Sequence, residues 1–348
     1  MLDKINYEME YIRKIQKESH RDPILIERVL YAFGLLEAIK RVGMPFVFKG
    51  GTCLMLLLEH PMRLSTDIDI IVEPGTDVDY YIEEAGKLFP FIRFDEQKRI
   101  GKNNIVKRHF KFIYESPINN ADFYILLDIL FEENHYSSID DRPIKNELLT
   151  VVEPELFVKV PSVNCILGDK LTAFAPHTIG IPFGKNTEII KQLYDCAILT
   201  GVITDFQEVK NTYRKIAIAE LDYRGLDVTF EETLRDTIRV TACIISKGYS
   251  DPEEFSLFIE GINGVKSHIF NETYSGEKAT FQACKVMCLA ACVLKDKPDI
   301  LKIEHPEKYL SGKISAKEYQ KLSYVKKLNL EAYGYLVEAV NILEEIYD

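Results

Sequence analysis

Apolar residues recur along this chain in two rhythms, and the rhythm changes near the middle. In the first 45 residues the spacing is helical. Asp22-Pro23 reads as an N-cap with proline at the first helical position, and Leu25, Val29, Phe33 and Leu36 follow on one face. Phe46-Val47-Phe48 is a short strand candidate ending in Lys49-Gly50-Gly51-Thr52. Residues 53–59 suit a buried helix, residues 67–72 read as a strand, and residues 105–114 and 123–131 alternate. Together they predict a small mixed β-sheet with helices packed on it.

From about residue 165 strand signals thin out. Periodic stretches recur at residues 188–199, 229–246, 253–269, 278–294 and 319–346, which predicts a helical bundle. The expected fold class is therefore α+β: a mixed-sheet core with flanking helices, then an all-helical C-terminal domain. Pro154 and Pro161 interrupt the pattern near the change, placing the domains at residues 1–160 and 161–348. A length of 348 residues suits two domains of about 100–200 residues each.

Charge narrows the function. Forty-three basic against fifty-four acidic residues leave a net charge of −11. That excludes stable binding to long duplex DNA through overall positive charge. The N-terminus mixes both signs without an apolar core, and the longest apolar stretches, such as residues 53–58, are too short to span a bilayer, so no membrane is expected. Seven cysteines without a CxxC pair suggest neither a disulfide framework nor a zinc site. Cys284, Cys288 and Cys292 share one helical face and read as core. The expected setting is soluble, reduced and cytoplasmic.

Chemistry concentrates in KGGTCLMLLLEHPMRLSTDIDI, residues 49–70. In a strand, Asp67 and Asp69 project to one side while Ile68 and Ile70 face the other. Two such carboxylates make a hard, all-oxygen half-site that suits Mg²⁺, with Mn²⁺ as a substitute. Gly50-Gly51 lets backbone N–H groups approach a triphosphate, and Thr52 could add a hydroxyl at the start of the next helix. Singly, GG reads as a turn and DxD as a solvated strand edge. Their order carries the meaning.

That order resembles the nucleotidyltransferase superfamily of the DNA polymerase β type. The spelling Arg63-x-Ser65-x-Asp67-x-Asp69 is more narrowly similar to the AbiEii/AbiGii toxin family, the toxin half of bacterial AbiE-type toxin–antitoxin systems. Residues 167–175 (LGDKLTAFA) and 188–199 (EIIKQLYDCAIL) resemble that family's downstream motifs in the expected order. Asp169 stands where the family often has Glu. The resemblance spans roughly residues 23–200.

It implies an enzyme that transfers a nucleotide from an NTP to an acceptor hydroxyl, with the 3′ end of tRNA as the acceptor and an AbiEi-like antitoxin as partner. It further implies Asp67, Asp69 and Asp128 as metal ligands, and Gly50, Gly51, Thr52, Ser65 and Lys170 as phosphate contacts. Asp195 would serve the active site from the helical half, so that the site is completed across the domain boundary. Asp128 or Asp195 would take the proton from the acceptor.

The residues themselves leave alternatives. Lys170 beside Gly168 suits a phosphate but could be a surface lysine, and Asp195 could pair with Lys191 at i,i+4. Asp128 lies in an apolar run, so it needs a metal or a cation, an arginine being the structural option. The basic segment Lys98, Arg99, Lys102, Lys107, Arg108, Lys111, with His109 among them, is either an RNA-phosphate surface or a solvated strand face. Residues 180–186 resemble a P-loop but are one residue short and lack the Ser/Thr after Lys185, so a loop between helices is expected. No histidine spacing suggests zinc. Two rival functions stand beside tRNA modification: nucleotidylation of a protein or small molecule, and a non-catalytic nucleotide-binding module.

Overall fold

The structure is a computed structural model that describes residues 1–97, 106–249, 251–270 and 272–345. The chain divides into two units. One comprises Met1–Ser162 with Ser267–Glu272, the other Val163–Lys266 with Thr273–Asp348.

The first unit contains α1 (Met9–Ser19), α2 (Pro23–Arg41), β1 (Val47–Lys49), α3 (Gly50–Leu57), β2 (Ile68–Val72) and α4 (Asp79–Gly86). After them come β3 (Arg93–Gln97), β4 (Val106–Glu115), β5 (Asp122–Phe131), β6 (Ile139–Pro143) and β7 (Phe157–Pro161). The strands form one mixed sheet in the order β3-β4-β5-β2-β1-β7-β6. Among the described residues, β1–β7 and β2–β5 pair in parallel and the other neighbours are antiparallel.

Alternation along the strands gives this sheet two unlike faces. Ile125, Leu127 and Ile129 of β5 are buried with Phe110 and Phe112 of β4 and Ile68 and Ile70 of β2, in one core with Val29, Leu30, Phe33 and Leu36 of α2. Helix α2 starts as its cap predicts, with the Asp22 side chain accepting from the Ile24 N–H at 2.8 Å. It is buried on nearly every side, beyond the single stripe its spacing suggested. The residues out of phase with that core, Asp69, His109 and Asp128 among them, lie on the opposite face and are only partly buried.

The second unit is helical: α5 (Val163–Ala173), α6 (Asn186–Leu199), α7 (Phe206–Arg224), α8 (Phe230–Ile245), α9 (Pro252–Val265), α10 (Gly276–Leu294), α11 (Val325–Leu328) and α12 (Leu330–Glu344). Helix α10 packs against α6, α8 and α12. Asp205, Asp251, Ser275 and Asn329 cap α7, α9, α10 and α12.

Two periodic stretches are interrupted in ways their apolar spacing hides. The stretch at 319–346 breaks at Asn329, which is extended (φ −155°) and accepts from the Ala332 N–H at 2.9 Å to restart the helix. The stretch at 253–269 stops at Val265, because the following residues join the first unit. There the Leu64 N–H donates to the His268 carbonyl at 2.7 Å and the Phe270 N–H to the Met62 carbonyl at 2.9 Å.

None of the seven cysteines is in a disulfide and all are buried, Cys284, Cys288 and Cys292 on the core side of α10. Burial pushes the Cys196 and Cys284 thiols well above the usual range and Cys243 up to about 12. Raised values leave little thiolate at neutral pH. Native protein should therefore react slowly with a thiol reagent such as iodoacetamide at pH 7.5, and the guanidinium-unfolded chain should take up seven equivalents at ordinary rates. Rapid labelling of several thiols in the native protein would contradict the buried α6 and α10 faces.

Candidate active site

The turn from β1 into α3 sets the geometry. Lys49 is extended (φ −133°) and Gly50 takes φ +83°, a left-handed value, so that the helix begins at once. A Cβ on Gly50 would collide with the Asp69 carboxylate, whose Cγ and Cβ lie 2.8 and 2.9 Å from that point. A Cβ on Gly51 would stand 2.7 Å from both an Arg63 guanidinium nitrogen and Ser65 Oγ. The two missing side chains thus admit a carboxylate, a guanidinium and a hydroxyl against the first turn of a helix. Backbone N–H groups of a first turn have no partners within the helix.

Register builds the second part of the site. Lys49 pairs with Asp69 across β1–β2, Asp69 with Asp128 across β2–β5, and Asp128 with His109 across β5–β4. These side chains share a row and a face, with adjacent strands roughly 5 Å apart. The partner that Asp128 finds is a histidine, not an arginine: His109 Nδ1 lies 2.6 Å from Asp128 Oδ1. A carboxylate can only accept, so Nδ1 donates.

Asp67 stands one residue ahead of β2, not within it. Its side chain is 48% exposed, with Oδ1 3.8 Å from an Arg28 nitrogen on α2. Thr52, fully buried, donates from Oγ1 to the Asp67 backbone carbonyl at 2.6 Å. Its hydroxyl braces the carboxylate-bearing segment instead of facing outward. Among the described residues no three carboxylate, histidine or cysteine side chains converge as a preformed metal cage.

Of the basic segment, Lys98, Arg99 and Lys102 lie outside the described residues. Arg108 is held by two carboxylates, with Nε 2.8 Å from Glu96 and Nη1 2.7 Å from Asp79. The hydrogen bonds to Glu96 chiefly, and to Asp79, raise its pKa further. Lys111 places its ammonium 4.3 Å from the centre of the Tyr124 ring, and Lys107 is exposed. Alternation along β4 puts Phe110 and Phe112 in the core and Lys107, His109 and Lys111 opposite.

In the helical unit Lys170 and Asp195 meet directly. Lys170 Nζ is 3.1 Å from Asp195 Oδ2, with side chains 9% and 2% exposed. Lys170 is thus no surface lysine. Lys191 pairs with Glu188 at 2.8 Å instead of with Asp195. Gly168 does not open space for a ligand: a Cβ there would meet the Val209 carbonyl at 2.7 Å and the Tyr213 nitrogen at 2.9 Å. Its role is to let α5 and α7 touch backbone to backbone. Residues 180–185 lie in the expected loop between α5 and α6, folded back by Gly180 N–H donating to the Ala175 carbonyl at 2.7 Å.

Three residues gain importance from the fold. Arg63 was legible only as a letter in a motif, His109 only as one of a basic run, and Arg28 carried no signal.

The chain matches the family model described as nucleotidyl transferase AbiEii toxin, type IV TA system, over residues 35–263. Among solved structures it is similar to JHP933 from Helicobacter pylori at 13% identity and TM-score 0.46, covering 78% of this chain and 93% of that one. It is also similar to an antigenic nucleotidyltransferase-like protein from Paracoccidioides brasiliensis at 14% identity and TM-score 0.37, covering 57% and 91%. No curated protein sequence matches.

Proposed function

We propose that this chain, which belongs to the AbiEii nucleotidyltransferase toxin family of type IV toxin–antitoxin systems, transfers a nucleotidyl group from an NTP to an acceptor hydroxyl, with the 3′ end of tRNA as acceptor. The observation that carries this reading is the row of Asp69 and Asp128 beside a glycine-lined helix start.

The donor set fits Mg²⁺. Asp69 and Asp128 share a face, Asp67 precedes Asp69 by two residues, and all three offer hard oxygen atoms. Mg²⁺ typically takes one or two protein carboxylates and completes its shell with substrate phosphates and water, so a preformed cage is not required. When bound, the ion offsets charge on the attacking and leaving oxygens.

The chain's own residues then divide the work. Backbone N–H groups of Gly50 and Gly51, with Ser65 Oγ, hold phosphate oxygens. Thr52 supports this set by fixing Asp67. Asp128 accepts the proton of the acceptor hydroxyl. The half-exposed Asp128 suits that step better than Asp195, which is 2% exposed and already paired with Lys170. For Lys170 and Asp195 the family resemblance supports a phosphate contact and a supporting carboxylate. Positioning and fixed charge supply most of the rate. An antitoxin of the AbiEi kind is the proposed protein partner.

A second reading keeps the chemistry and changes the acceptor to a protein or small molecule. The neutralisation of Arg108 by Glu96 and Asp79 favours it, since that leaves fewer cations for RNA phosphates.

Purified protein incubated with Mg²⁺, each labelled NTP and total tRNA separates these readings. Label should appear on tRNA and fall by about a hundredfold or more in Asp69→Asn. Label on protein alone would support the second reading. NTP binding with no transfer to any acceptor would rule out both.

A further inference from the structure

We propose that His109 is a positioning residue for the reaction: its Nδ1–H fixes which oxygen of Asp128 is presented to the metal and the acceptor. The inference rests on the proposed nucleotidyl transfer and deepens it.

His109 and Asp128 are direct cross-strand partners on β4 and β5. Their side chains are 13% and 32% exposed, and the Nδ1–Oδ1 distance of 2.6 Å is that of a short, direct hydrogen bond. The imidazole is the more buried of the two, so its ring is held by the sheet while the carboxylate reaches outward. Among the described residues, Asp128 Oδ1 has this one donor and Oδ2 has none, which leaves Oδ2 as the oxygen available for ligation. Asp69 sits in the next strand in the same row, so a fixed Asp128 rotamer holds the two carboxylates side by side on one face. Without the imidazole, the Asp128 carboxylate would turn about its Cβ–Cγ bond, a torsion with a broad preference.

The donor's reach supplies the test. Asparagine carries its amide N–H the same number of bonds from Cα as Nδ1, whereas glutamine carries it one bond further. Both are polar and close to histidine in size. Mn²⁺ affinity, read from the free-ion electron paramagnetic resonance signal in the presence of a non-hydrolysable NTP analogue, and kcat for nucleotidyl transfer are measured for wild type, His109→Ala, His109→Asn and His109→Gln. Orienting partners of metal ligands typically account for 10–100-fold in affinity or activity. His109→Ala and His109→Gln should each bind Mn²⁺ roughly 10–100-fold more weakly and lose kcat to a similar extent. His109→Asn should recover both to within about threefold, since its donor is at the right reach.

Equal impairment of Asn and Gln, or wild-type affinity and kcat in all three variants, overturns the role of His109 alone. A wild-type protein that binds no Mn²⁺ and transfers no nucleotide overturns the reading of the site and the role of His109 with it. Because Asn and Gln differ in reach and hardly in polarity, their contrast decides the matter even if the alanine variant does not fold.

Discussion

Gly50→Ala is expected to lower nucleotide transfer by about a hundredfold or more while the helical unit keeps its native helix content. Two costs add at this position. The backbone sits at φ +83°, where a Cβ costs about 1–2 kcal/mol. The new methyl would also overlap the Asp69 carboxylate, so either Asp69 or the helix start must shift. A displacement of about 1 Å at a reacting centre can cost a hundredfold in rate.

Gly75 provides an internal control, with the same φ of +83° and nothing within 4 Å of its absent Cβ. Gly75→Ala should lose a similar amount of stability and little activity. Kinetics and urea unfolding of both variants separate the backbone term from the displacement of Asp69. Equal loss of activity in the two would mean that Asp69 does not depend on the space above Gly50.

The second large effect concerns Lys170 and Asp195. Removing one member of a buried ion pair leaves an uncompensated charge, which costs about 3–5 kcal/mol. Lys170→Met should therefore lower the melting temperature by roughly 6–20 °C, at about 2–4 °C per kcal/mol for a unit of this size. Replacing both, Lys170→Met with Asp195→Leu, should return most of that stability, because a well-packed apolar pair can stand in for a buried ionic one. Transfer activity is expected to stay low in the double variant, as a methionine offers nothing to a phosphate. Calorimetry and the labelled-NTP assay on the same preparations test both halves. Recovery of activity along with stability would confine Lys170 to a structural role.

What could be read from the chain followed how local the cause was. Asp22-Pro23 caps α2, and Gly50-Gly51 starts α3, because such choices are made within a few residues. Asp128 drew notice because a carboxylate in an apolar strand needs a partner. That its side-chain partner is His109, nineteen residues away, depends on the register of β4 against β5, whereas an arginine was the structural option read beside a metal. Helix α7 shows a simpler oversight, since Phe206, Val209, Tyr213, Ile216 and Ala217 are spaced as a buried helical face. The end of α9 was not legible at all. Past its end, the His268 carbonyl accepts from the Leu64 N–H and the Phe270 N–H donates to the Met62 carbonyl, partners some two hundred positions earlier.

That last pairing bears on how the protein can be taken apart. The chain passes between the units at 162/163, at 266/267 and again at 272/273, so three peptide links join them where a simple tandem arrangement has one. No single proteolytic nick can release either unit complete, since a cut at 162/163 leaves residues 267–272 with the helical segments. A truncated fragment ending near residue 162 would also lack the segment 268–270 that hydrogen-bonds to residues 62–64, immediately upstream of Asp67 and Asp69. The nucleotidyltransferase half is therefore not a module that recombination could lift out intact: it inherits part of its own frame from the far side of the gene.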